Sequence, residues 1–313
     1  MAIDRKNQKE LQEWEERKGE LRAVIVDRRK RVADEDFQGD VEELAASIFY
    51  PLDQWEKLTY REQQWLRVEA AAMVSTTAIL TGRSAARKLG IWVVAGTEEK
   101  VEVSLPSRGV SRSRMDSGNY EFRHSRIQPS EVAVYEGHAV TGPIRTFIDI
   151  ARYHGFLEGL IAADYLLRRG IERSEILRGI QKMGRTKGIK TARRCLEHAI
   201  PDSDSPYESL ARGLLIEADI GPIQPQFKVG KYSVDLLIGS WLAIEIDGEK
   251  KYSGPDAEKV RQDEFNRQKL IANRGYVFLR YAPWFVRKYP DRFLAEVRQT
   301  LAASGLIGER VAQ

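Results

Sequence analysis

The chain has 313 residues, 42% of them hydrophobic and 31% charged, which is enough apolar content for real cores and enough length for two domains with an added arm. The net charge of +4 and a pI near 9.0 favour an anionic partner only where the positive charge is clustered. Cys195 is the only cysteine, so a disulfide framework and a cysteine zinc site are excluded, and the four scattered histidines show no metal-ligand spacing. No apolar run approaches ~20 residues, and the opening MAIDRKNQKELQEWEERKGEL lacks an apolar signal core, so the expectation is a cytoplasmic protein with no membrane span.

Residues 4–35 are densely charged, free of proline and helical in composition. Leu11, Trp14, Leu21 and Ile25 make a sparse apolar stripe at roughly heptad spacing. It suits packing on the body of the protein or on a second copy, as a homodimer. Fewer than three convincing heptads favour a solvated helical arm over 1–40 instead. The run Arg28-Arg29-Lys30-Arg31 reads as a solvated helix end, with phosphate contact as the alternative. Residues 36–95 read as mainly helical. Thr59 followed by Glu62 is a capping box that starts a helix, and a shorter helix ends at Gly90.

Residues 100–141 read as strands: VEVSLP, Tyr120–Phe122, and VAVYEGHAV around Glu136-Gly137. Arg108, Arg112, Arg114, Arg123 and Arg126, interleaved with serine and glycine, make this the most basic stretch of the chain. Such a loop suits phosphate contacts in nucleic acid; the plain alternative is a solvated loop. Helices are expected over 143–154, 157–169, 173–182 and 186–199. The polar stretch Pro201-Asp202-Ser203-Asp204 is the expected domain boundary, dividing a mainly helical 41–200 domain with a small β-sheet from a 203–303 domain.

The second domain reads as a helix, a three-stranded meander, a charged helix, a strand near 276–281 and a closing helix, an α/β sheet with helices on both faces. Its strands carry three acids, Asp235, Glu245 and Asp247, in otherwise apolar sequence. A carboxylate buried in a strand is costly unless a cation or hydrogen bonds offset it. Converging acids suggest a hard divalent ion, Mg²⁺ or Mn²⁺, with Lys251 close behind them. Period-2 alternation puts Glu245 and Asp247 on one face. A strict two-residue turn at Gly239-Ser240 would pair Asp235 with Ile244 and send Asp235 and Glu245 to opposite faces. A shared site therefore requires a three-residue connection or a bulge.

Residues 203–302, through SPYESLARGLLIEADIGPIQPQ, YSVDLLIG, LAIEIDGEKKY and GYVFLRY, resemble the PD-(D/E)XK nuclease superfamily, in the branch related to the very-short-patch-repair mismatch endonuclease. The resemblance implies a restriction-endonuclease-like fold with a mixed central sheet, and an α+β chain overall. It implies Asp235 as the central metal-binding acid and Glu245 as the acid opening the third-strand motif. Asp247 stands where many members carry lysine, and Lys251 where relatives of this branch often carry histidine. Glu208 matches the first-helix acid, although Ser205-Pro206-Tyr207-Glu208 is equally a capping box with proline at the first helical position. Residues 60–170, through LTGRSAARKLGIWV, VEVSLPSRG and TGPIRTFIDIARYHG, more loosely resemble the body of AbiEi-type abortive-infection antitoxins. Two functions follow as expectations. One is a metal-dependent DNA endonuclease in phage defence or repair, with RNA left open as substrate. The other is a DNA-binding antitoxin or regulator with a catalytically silent nuclease-like domain.

Overall fold

A computed structural model describes residues 5–30, 39–75, 77–105, 118–247 and 266–311. The protein is mixed α/β, about 50% helix and 20% strand. It divides into two units, Met1–Tyr153 and His154–Gln313.

The charged opening segment folds as α1 (Arg5–Ala23), and it is packed rather than solvated. Leu21 is 2% exposed, and Trp14 meets Trp65 edge to face at 6.2 Å. Trp14, Leu21 and Ile25 of the apolar stripe are thus used inside the chain. After β1 (Val26–Asp27), a hairpin forms from β2 (Val41–Ala45) and β3 (Ile48–Pro51), and the three strands make an antiparallel sheet ordered β1-β3-β2. This corrects the helical expectation for that stretch. Ile48-Phe49-Tyr50 suits a half-buried strand, and Ser47 turns the chain at φ 64°. The short α2 (Leu52–Trp55) leads to α3 (Tyr60–Val74), which opens on the expected capping box. There the Thr59 hydroxyl accepts the Glu62 N–H, and the Thr59 N–H donates to Glu62 Oε2 at 2.7 Å. After β4 (Ile79–Leu80), α4 (Gly82–Leu89) ends at Gly90 in the left-handed conformation.

β4 joins β5 (Val101–Ser104), β6 (Tyr120–Phe122), β7 (Val132–Tyr135) and β8 (His138–Thr141) in a sheet ordered β6-β5-β4-β8-β7, and α5 (Pro143–His154) follows. Tyr135 pairs with His138, leaving Glu136-Gly137 as a two-residue turn with φ 49° and 80°. Glutamate is unusual there. Its carboxylate explains the choice, since it meets Lys88 Nζ at 2.7 Å and also bonds Arg22. Lys88 is fully buried, with Glu69 as its second partner, and Glu69 also holds Arg22 at 2.8 Å. This charge cluster ties α1, α3, α4 and the β7–β8 turn together.

The second unit opens with α6 (Phe156–Arg168), α7 (Arg173–Lys182), α8 (Ile189–His198) and α9 (Pro206–Glu217). The expected boundary at 201–204 falls between α8 and α9, inside this unit. The physical reason is a buried ion pair: Arg212 on α9 grips both oxygens of Asp164 on α6, at 2.7 and 2.9 Å. Gly213 lets the two helices approach, because a Cβ there would lie 2.9 Å from Leu157 Cδ2. β9 (Ile223–Val229), β10 (Tyr232–Ile238) and β11 (Leu242–Ile246) form an antiparallel meander, and β12 (Val277–Tyr281) adds parallel to β11. Helix α10 (266–273) precedes β12. Its Ile271 packs with Val229, Val234, Leu237 and Ala243 on the sheet. The short α11 (Pro283–Lys288), which the sequence reading missed, and α12 (Pro290–Val311) close the chain. Among the described residues, no helix is long and apolar enough to cross a membrane.

Removing one partner of a buried ion pair leaves an uncompensated charge. Glu69→Ala should therefore lower the unfolding free energy by roughly 3 kcal/mol in urea titrations, because Lys88 and Arg22 both lose a carboxylate. Lys9→Ala, which breaks an i,i+4 pair whose side chains are 79% and 61% exposed, should change it by less than about 0.5 kcal/mol. Equal effects would show the cluster to be energetically neutral.

Candidate active site

The apolar character of β10 and β11 follows from burial: all five residues of β11 are buried, Glu245 at 2% exposure among them. Leu236 pairs with Ile244, Leu237 with Ala243 and Ile238 with Leu242. That register leaves Gly239, Ser240 and Trp241 as a three-residue connection, with Gly239 supplying φ 60°. Continued by one residue, the same register sets Asp235 opposite Glu245, and directly opposed residues share a face. This is the arrangement that a shared site requires. Asp235 Oδ2 also accepts the Ile246 N–H at 2.8 Å, which fixes the carboxylate against the neighbouring strand.

β9 supplies a residue that sequence reasoning missed. Val234 pairs with Phe227 and Leu236 with Pro225, so Gln226 lies across from Asp235 without a ladder pair of its own. Gln226 holds φ 48°, a left-handed conformation costly for a non-glycine residue. Its Nε2 donates to Glu208 Oε2 at 2.9 Å. The same oxygen accepts the Asp204 N–H at 2.9 Å, while the Ser205 hydroxyl accepts the Glu208 N–H at 3.2 Å. Only half of the expected Ser205–Glu208 capping box forms, because the Glu208 carboxylate accepts the Asp204 N–H rather than that of Ser205, and it lies close enough to Asp235 to feel its charge. Ser203, Glu208, Arg212, Gln226 and Asp235 line a close-packed crevice with no room for a water molecule. Only the Gln-Pro-Gln sequence at 224–226 hinted at irregular backbone here.

Burial and the Asp235 charge raise the proton affinity of both glutamates. Burial, followed by the Asp235 charge, pushes Glu208 up to about 7. Burial also pushes Glu245 up to about 7; Arg267 acts against it and Asp235 with it. Glu245 is held by two guanidiniums: Arg267 from α10, and Arg280 of β12 at 2.8 Å. Asp247 directly follows β11, and its N–H donates to Tyr281 O at 3.0 Å.

Among the described residues, no three His, Cys, Asp or Glu side chains group closely enough to hold a metal by themselves. Mg²⁺ needs fewer, because it keeps several waters and is commonly bound through one or two carboxylates. Asp235 and Glu245 carry hard oxygen donors of that kind, and both Glu245 oxygens are engaged by Arg267 and Arg280. Lys251 and the arginines Arg108, Arg112 and Arg114 lie outside the described residues. Arg123 is engaged with Glu102 and Glu121 and stacks on Tyr153 at 4.4 Å, so it is not poised for phosphate. Arg126 is exposed. Comparisons with protein-family models, curated proteins and solved structures found no match for this chain.

The raised carboxyls predict a pH dependence of stability. An unfolded glutamate titrates near ~4.3. The folded chain therefore holds more protons between about pH 4.5 and 7 than the unfolded one, and stability falls as pH rises through that window. In EDTA, the melting temperature should drop by a few degrees between about pH 5 and pH 8, and Glu208→Gln should flatten that drop. Parallel wild-type and variant curves would mean that Glu208 titrates normally.

Proposed function

We propose that the second unit is a metal-dependent nuclease of the PD-(D/E)XK type acting on DNA. The observation that carries this reading is the register that sets Asp235 across from Glu245 on one face of the sheet. Asp235 and Glu245 would hold Mg²⁺ or Mn²⁺, with Asp247 just past the end of the Glu245 strand. Bound there, the ion would polarise a phosphodiester and make hydroxide available at neutral pH. The chain's own residues prepare the site. Gln226 fixes Glu208. Arg267 and Arg280 orient Glu245 and offset its charge in the absence of a cation. Lys251 is suited to stabilise charge on the phosphate, and Arg108, Arg112, Arg114 and Arg126 to contact phosphates along the strand. A role in phage defence or repair is carried by the resemblance alone.

The second reading, a DNA-binding antitoxin or regulator with a silent nuclease-like domain, is favoured by the same two arginines. They neutralise Glu245 without any metal. The two readings differ in one experiment. Wild-type protein with Mn²⁺ should cut duplex, single-stranded or mismatched DNA, and Asp235→Asn should lower the rate by ~10³-fold or more while leaving the circular dichroism unchanged. If no DNA substrate is cut under any of these conditions but DNA is bound, the silent reading replaces the nuclease.

A further inference from the structure

The stretch that follows β12, Ala282-Pro283-Trp284-Phe285-Val286-Arg287-Lys288-Tyr289-Pro290, carries no acid. Trp284 is 54% exposed, an unusual state for so large an apolar side chain. It is nonetheless held in place. Its ring sits edge to face with Phe285 at 6.0 Å and with Tyr289 at 6.3 Å. Behind it, Tyr281 stacks on Phe285 at 5.6 Å, and Phe293 is fully buried against Tyr281 at 4.9 Å. Cations ring the aromatic group. Lys288 Nζ lies 5.3 Å from the Tyr289 ring, and the Arg292 guanidinium lies 5.3 Å from Phe285 and 5.4 Å from Tyr289. Arg287, Lys288 and Arg292 are all exposed.

We infer that Trp284, flanked by Lys288 and Arg292, is a stacking platform for a base of single-stranded nucleic acid. An aromatic face offers sequence-tolerant stacking to any base, and the surrounding cations meet the phosphates on either side of it. Two observations select this partner over an apolar one. The patch is cationic, with Asp291 the one acid among residues 282–292, and the aromatic residue at its centre is rigidly supported. Position gives the platform a role. Tyr281 pairs with Ile246 and its carbonyl accepts the Asp247 N–H, so the platform begins three residues beyond the strand end beside the carboxylates. A base stacked on Trp284 would hold a frayed or unpaired strand next to Asp235 and Glu245. The inference rests on the nuclease reading for this placement, and the binding itself needs no catalysis.

The test is fluorescence anisotropy of labelled oligodeoxythymidylate with the full chain in EDTA, where no metal-dependent cleavage occurs. Trp284→Ala should weaken binding by roughly 5- to 150-fold, the effect of losing one stacked base worth ~1–3 kcal/mol. Trp284→Phe should retain most of the affinity, and Lys288→Ala with Arg292→Ala should flatten the salt dependence. Unchanged affinity for Trp284→Ala, with unchanged circular dichroism, would overturn the inference. So would a wild-type chain that ignores the oligonucleotide while Trp284→Ala converts a dimer to a monomer in sedimentation, which would make the patch an interface between copies. If Trp284 matters for binding and no substrate is ever cut, the platform stands and the nuclease reading falls. If cleavage depends on Asp235 and not on Trp284, the reverse holds.

Discussion

Leu236 pairs with Ile244, and that pairing decides where the acids of the second unit can go. Side chains alternate along a strand, so a shift by a single residue sends every one of them to the other face. With two residues in the β10–β11 connection, Asp235 and Glu245 would be separated by the sheet. With three, they oppose each other. Gly239 makes the longer connection cheap, since it reaches φ 60° without a Cβ to clash. Register also places Arg280 across from Glu245 on β12, and that arginine bonds the glutamate. The acids and their cations are thus set by strand pairing before any side-chain rotamer is chosen.

Buried charge recurs in both units, and several instances are matched by an opposite charge. Lys88 has Glu69 and Glu136, Arg212 has Asp164, and Arg145 has Asp149 at 2.9 Å with Glu131 at 2.8 Å. These pairs join elements distant in sequence. The carboxylate site differs in kind. Glu208 is matched by amides rather than by a cation: the Gln226 side chain and the Asp204 backbone. Amides satisfy an oxygen without neutralising it, so burial and then proximity to Asp235 still raise the proton affinity of Glu208. The cost of that arrangement is what a cation bound at the site would relieve.

Local rules carried most of the secondary structure. The Thr59–Glu62 capping box, the Gly90 stop, the Glu136-Gly137 turn and the helices from 143 to 198 all form where sequence places them. The β10–β11 parity argument was legible because alternation is strict. What failed was tertiary. The α1 stripe looked too sparse for a partner because its partners are charges as well as rings: Lys18, Arg22 and Trp14 meet Glu136, Glu69 and Trp65. The β2–β3 hairpin was hidden by Glu42 and Glu43, which read as helical, and by a turn at Ser47 in place of glycine. Arg123 looked like a phosphate ligand by its neighbours in sequence, yet its ion pair is Glu102 on the adjacent strand. Pairwise burial of this sort has no periodic signature.

Gln226 and Glu136 are two non-glycine residues at positive φ, and the comparison separates two uses of the same strain. Such a conformation costs about 1–3 kcal/mol and persists where surrounding contacts over-determine it. At Glu136, those contacts are ionic and structural: Lys18, Lys88 and Arg22 converge on one carboxylate. At Gln226, the contact is an amide donated to Glu208. Among the described residues β9 is the edge of its sheet, and Pro225 has no N–H to lose from the ladder, so an irregular step is tolerated there at little further cost. A regular strand would place residue 226 in a ladder pair with Asp235. The left-handed step gives up that pair, and the Gln226 amide instead reaches Glu208. The sheet therefore gives up a backbone pairing to hold a carboxylate beside Asp235. That exchange fixes Glu208, which also accepts the Asp204 N–H at the start of α9.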